Sequence, residues 1–146
     1  MSPKNLPPIS GILLVFGGMV FGVLGGLHAL YTLLDLRNPR RLVPVDPAVT
    51  QAMANTALRL SDGRTDMWRA WIGFNFSHSL GLLLFATLAI WAGFRVGGLP
   101  VAVMPALTLI GCAYLLLALL YWFHIPAIGV AIGTGCFAAA WVLSLR

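Results

Sequence analysis

Long apolar runs separated by short polar breaks dominate the chain, and only one break is long. Residues 11–34 carry no charge, although His28 and Tyr31 lie among them. A second apolar run covers about 65–94, a third about 101–124 and a fourth about 127–145. At a helical rise of about 1.5 Å per residue, each run is close to or beyond the roughly 30 Å of a bilayer's hydrocarbon core. The expected fold class is all-α: an integral membrane protein forming an antiparallel four-helix transmembrane bundle, one domain over residues 1–146. A signal peptide has a shorter apolar core and a small-residue cleavage site, so the first run reads as a retained helix.

The one long polar stretch, residues 35–66, holds all four acidic residues, Asp35, Asp46, Asp62 and Asp66. Asp46-Pro47 is a helix start, an N-cap oxygen followed by proline at the first helical position. Val49, Met53, Ala57 and Leu60 then recur at helical spacing, with Gln51, Asn55 and Arg59 on other faces. This predicts a short amphipathic connector helix over about 47–60, lying on the membrane or capping the bundle. Ser61-Asp62-Gly63-Arg64 reads as a turn, Thr65 as the cap of the second span and Asp66 as its first-turn acid. Trp68 and Trp71 are expected as interfacial anchors. Ile125-Pro126 reads as the turn into the fourth span.

Composition removes the soluble alternative. Of 146 residues, 60% are apolar and only 9% charged, with mean hydropathy +0.92. That is too few charges to cover a water-facing surface. The net charge of +5 and pI near 10.0 do not indicate a nucleic-acid partner, because the basic residues sit beside apolar spans rather than in a patch. Arg37, Arg40, Arg41, Arg59, Arg64 and Arg69 lie on the connector side, against Lys4, Arg95 and Arg146 on the side of the termini. The positive-inside rule therefore puts connector 35–64 in the cytoplasm and, in a bacterial inner membrane, the termini in the periplasm. Cys112 and Cys136 have no CxxC or histidine partner in sequence, so no metal site is expected, and both read as small buried apolar residues.

Small residues recur every four positions: Gly18, Gly22 and Gly26 in the first span, Gly73, Ser77 and Gly81 in the second, Gly129 and Gly133 in the fourth. Such stripes let helices approach closely in lipid, either within the chain or against a homo-oligomer or larger membrane complex.

Candidate chemistry gathers around the histidines. His28 lies about 9 Å inside the connector end of the first span, and His78 about 10–15 Å into the second. Topology puts His124 on the same side. His28, Thr32 and Asp35 fall at i, i+4 and i+7, as do Trp71, Asn75 and His78, while Tyr121 and His124 are three apart. Ionisable groups within a span are costly unless they face the bundle, so these eight are the candidate ligand-binding residues.

Three arrangements account for them. The histidines can be neutral and hydrogen-bonded, holding helices together. They can line a polar pocket for a hydrophobic small molecule (lipid, quinone or isoprenoid-like), with histidine moving a proton and Asp35 orienting it. Or His28 and His78 can ligate a haem, although no HxxxH or CxxCH spacing is present. Ser77 and Ser79 flank His78 on different helix faces, so neither forms a nucleophilic dyad with it. No catalytic residue and no cofactor is assigned.

The segment 67–81, MWRAWIGFNFSHSLG, resembles the signature of a small family of bacterial four-span membrane proteins without an assigned activity. The similarity extends to residues 22–33 around His28, to Asp-Pro-Ala-Val at 46–49 and to Trp122-Phe123-x-x-Pro126. The resemblance implies a four-span bacterial membrane protein and carries no catalytic residues with it.

Overall fold

The computed structural model describes residues 8–100 and 102–145; Lys4 and Arg146, used in the charge comparison, and Val101, the expected start of the third span, lie outside the described residues. Five α-helices follow in order: α1 Pro8–Asp35, α2 Pro47–Asn55, α3 Met67–Phe94, α4 Val103–Tyr121 and α5 His124–Ser144. α1, α3, α4 and α5 are long and apolar enough to cross a membrane, which makes the chain a multi-pass membrane protein by architecture. With 28 residues each, α1 and α3 are about 42 Å long, leaving about 12 Å of each beyond the hydrocarbon core.

Two boundaries of the membrane-length helices differ from expectation. His124 does not end the third span. It is the first residue of α5, and the turn is Trp122-Phe123 rather than Ile125-Pro126. Pro126 falls in the first turn of α5, where a missing N–H costs nothing because that position has no partner within the helix. The cap of α3 is Asp66 rather than Thr65: its Oδ1 accepts the Arg69 N–H at 2.7 Å.

The chain divides into two compact units. The first comprises the described residues up to Leu24 and from Leu82 onward, so it holds parts of α1 and α3 with all of α4 and α5. Each helix contributes one ring to its centre: Phe21, Phe85, Tyr114 and Phe137. Phe21 lies edge-on to Phe85 at 4.9 Å between centroids and stacks on Phe137 at 5.7 Å, while Phe85 meets Phe137 at 5.5 Å and Tyr114 at 5.9 Å. Such pairs contribute about 0.5–1.5 kcal/mol each beyond the area they bury.

Around these rings the helices approach backbone to backbone. A Cβ on Gly11 would lie 2.7 Å from the Gly93 carbonyl oxygen, and one on Gly93 would lie 2.7 Å from that of Gly11. A Cβ on Gly18 would lie 3.0 Å from the Ala86 carbonyl oxygen, and one on Gly22 would lie 3.5 Å from the Ala86 methyl. A Cβ on Gly133 would lie 2.7 Å from the Phe21 ring, and one on Gly129 would lie 3.0 Å from the Leu24 side chain. Contacts of α1 residues 11 and 18 with α3 residues 93 and 86 run in opposite register, so these helices are antiparallel. The stripes do not continue. A Cβ on Gly26 or Gly73 would meet nothing within 4 Å, and Ser77 is exposed with its hydroxyl donating to the Phe74 carbonyl. The reason lies in α3's own geometry: Asn75 and Ser79 are buried, and Gly73 and Ser77, two residues earlier, sit about 200° around the helix from them. Cys112 is exposed and Cys136 partly so, both as free thiols, rather than buried within the bundle.

The second unit, Gly25–Gly81, holds the C-terminal end of α1, the connector and the first turns of α3. Asp46 caps α2 as expected, its Oδ1 accepting the Ala48 N–H at 2.8 Å with Pro47 at N1. The helix stops at Asn55 rather than residue 60, because the chain beyond it turns extended and pairs with the approach to α3. Leu58 N–H donates to the Thr65 carbonyl at 3.0 Å and Met67 N–H to that of Thr56 at 2.9 Å, enclosing the turn at Asp62 and Gly63, both with positive φ. No α2 residue is buried, so α2 lies at the surface and caps no core.

Gly93→Ala is expected to cost about 1–3 kcal/mol, since its Cβ would meet the Val15 Cγ2 methyl at 2.6 Å and two backbone atoms, the Gly11 carbonyl oxygen at 2.7 Å and the Val15 nitrogen at 3.0 Å, whereas Gly73→Ala gains up to about 1 kcal/mol of helix propensity. Thermal unfolding in detergent, followed by far-UV circular dichroism, ranks the two. Equal melting temperatures would contradict the packing described.

Candidate functional site

The polar residues of the second unit form a chain of hydrogen bonds that returns to its starting helix. The Asn75 amide donates through Nδ2 to the Trp71 carbonyl at 2.8 Å, a bond within α3. A carbonyl only accepts, so the Asn75 atom facing His28 is Oδ1, and the 2.8 Å contact between it and His28 Nε2 requires the proton on Nε2. His28 thus donates across from α1 to α3. Trp71 continues the path, its indole Nε1–H donating to the Leu42 carbonyl at 2.7 Å. Leu42 N–H in turn donates to Asp35 Oδ2 at 2.7 Å, back on the last residue of α1.

Asp35 is held differently from expectation. It does not orient a histidine. Its carboxylate, only 1% exposed, accepts the backbone N–H groups of Arg40 at 3.0 Å, Arg41 at 3.1 Å and Leu42, with the Arg41 guanidinium 3.7 Å away. A carboxylate at a helix C-terminus opposes the negative end of the helix dipole. Three converging N–H dipoles and a cation offset that penalty and fold the connector back onto α1. Backbone donors carry no residue signature, which is why helical spacing offered a histidine as one partner for Asp35 and not the connector amides.

Thr32 is fully buried and donates to the His28 carbonyl at 2.9 Å, an i−4 bond within its own helix. Ser79, also buried, does the same to Asn75 at 2.9 Å. Neither presents its hydroxyl to a ligand. His78 is half-buried, with its ring 5.1 Å from that of His28 at 71°. On its other side it stacks with Phe74 at 6.3 Å, and Phe74 stacks with Trp71 at 6.4 Å. Phe74 and Trp71 are 62% and 38% exposed, so His78 ends a row of three stacked rings along an exposed side of α3.

Of the eight predicted residues, His28, Thr32, Asp35, Trp71, Asn75 and His78 all lie in the second unit, and His28, Asn75, Trp71 and Asp35 belong to one hydrogen-bonded path. Tyr121 and His124 belong to the first unit, where Tyr121 ends α4 and His124 opens α5, both exposed.

The haem arrangement does not fit this geometry. Axial histidines face each other across a porphyrin, each through a ring nitrogen, whereas His28 and His78 meet edge to face at 5.1 Å and the His28 Nε2 is engaged by Asn75. Among the described residues no group of three or more His, Cys, Asp or Glu side chains is placed to hold a metal ion.

Comparison with protein families, with curated proteins and with solved structures returned no match.

His28→Ala and Asn75→Ala are each expected to destabilise the protein, with a double-mutant coupling of about 0.6–2 kcal/mol for the bond between them. Asp35→Ala should release the amide protons of Arg40, Arg41 and Leu42 to hydrogen exchange without altering protection in α4. Unchanged exchange at those three amides would show that the carboxylate does not hold the connector.

Proposed function

We propose that this chain is an integral protein of a bacterial inner membrane that binds a hydrophobic small molecule of lipid, quinone or isoprenoid type along the ring row of α3, with His78 as its polar contact. The observation that carries this reading is the stacked series Trp71, Phe74 and His78. A flat or polyprenyl group lies well against stacked rings, and the imidazole at the end of the row supplies a ring nitrogen able to hydrogen-bond a polar head. Asp35, Thr32, Asn75 and Ser79 support rather than contact the ligand, since their hydrogen bonds are directed within the protein. The connector arginines favour a cytoplasmic connector with the termini in the periplasm.

A second reading, a non-catalytic accessory subunit of a larger membrane complex, draws on Gly73, where a missing Cβ leaves an open notch on α3. Gly22 and Gly133 are unavailable to it, because both pack within the chain.

Protein purified in mild detergent is expected to retain one lipid, quinone or isoprenoid per chain, identified by extraction and mass spectrometry. His78→Ala and Phe74→Ala should lose most of it while melting within a few degrees of wild type. If the wild type carries no such molecule, or if the two variants retain it fully, the binding reading is wrong. A constant protein partner released by Gly73→Leu would favour the subunit.

A further inference from the structure

A second feature of the Gly25–Gly81 unit lies away from the ring row. An open groove of about 730 Å³ runs between connector loop 39–45 and α2, with Trp68 from the first turn of α3 as its apolar wall. Its volume is within the usual range for small-molecule sites. Two arginines, Arg40 and Arg41, line it, and no acidic residue does. Thr50 and Gln51 of α2 add a hydroxyl and an amide.

The two cations are not equivalent. The Arg41 guanidinium is shared with Asp35 at 3.7 Å and lies over the Tyr31 ring at 5.6 Å. Among the described residues the Arg40 side chain makes no ion pair, although its backbone N–H is fixed by Asp35. The groove walls are therefore held in place by bonds that leave one guanidinium for something else. The Asp35 carboxylate pins residues 40–42, Asp46 caps α2, and Pro39, Pro44 and Pro47 stiffen the loop around them.

Its place in the chain indicates what that is. The loop follows the last residue of one membrane-length helix, and Trp68 is the second residue of the next. Both positions belong to the headgroup zone, where tryptophan and arginine are the ordinary interfacial residues. We infer that this groove is a binding site for the phosphate headgroup of an anionic phospholipid, with Arg40 as the principal phosphate contact, Arg41 as the second cation, Thr50 and Gln51 as hydrogen-bonding groups and Trp68 against the glycerol and upper acyl region. The occupant is a lipid rather than free phosphate because an apolar indole wall beside the arginines, at the end of a membrane-length helix, suits a ligand with an acyl part. The site requires only that the chain is embedded in a membrane, and it stands or falls separately from the ring row of α3.

The test titrates the full chain, in mild detergent, with phosphatidylglycerol, phosphatidylcholine and inorganic phosphate, counting bound molecules by native mass spectrometry. Two cations at about 1 kcal/mol each near a charged surface predict about a thirtyfold preference for phosphatidylglycerol over phosphatidylcholine at one saturable site. Arg40→Gln should lower that affinity about fivefold. Arg64→Gln, which removes the same charge from an exposed connector position outside the groove, should leave it unchanged. Absence of headgroup preference overturns the inference, as does wild-type affinity in Arg40→Gln. An equal loss in Arg64→Gln would reduce the effect to diffuse connector charge, with no groove site. Displacement of the lipid by millimolar inorganic phosphate would make phosphate itself the ligand and overturn the lipid assignment.

Discussion

In hydrocarbon one apolar helix gains nothing by leaving lipid for another, so the helices must be held together by something other than hydrophobic burial. The rest of the structure follows from that constraint. The first unit meets it with close packing: glycines that let backbones touch, and four rings, one from each helix, that interlock at the centre. Any side chain at Gly11, Gly93 or Gly133 would hold the helices apart and forfeit the dispersion contacts on which their association rests.

The second unit meets the same constraint with directed polar bonds. Its hydrogen bonds are worth having because the alternative is an unpaired donor or acceptor near lipid, where nothing else satisfies it. The path from His28 through Asn75, Trp71 and Leu42 to Asp35 joins two helices and their connector, and each member fixes the next. The Asn75 amide sets the His28 tautomer, and the Trp71 indole sets the loop that Asp35 gathers. Polarity that first suggests chemistry is here largely consumed by architecture. The His78 ring lies beside this path, edge-on to His28 and at the end of the aromatic row.

The connector combines two roles that a flexible loop would keep apart. Its backbone is ordered by an acid at the end of α1, and its side chains place basic groups beside a tryptophan at the level where headgroups lie. A rigid, basic interfacial loop favours binding of anionic lipid, because little ordering entropy is lost on association.

Periodicity and composition alone determined that the chain is helical, that four of its helices are membrane-length, and that Asp46-Pro47 begins a fifth. These are local properties: apolar length, residue pattern and capping chemistry act within a few turns of helix. The polar residues that gather in the second unit were legible for the same reason, since spacing along a helix assigns a shared face. Tertiary structure alone decided what those residues do. Asp35 binds backbone N–H groups that no sequence pattern marks. Gly73 and Ser77 have the spacing of a packing stripe but the wrong rotation to make one. His124 changed helices because a two-residue turn at Trp122-Phe123 was sufficient. In each case the outcome depends on how α1, α3 and the connector meet, or on where a helix gives way to a turn, and spacing within one helix does not contain that information.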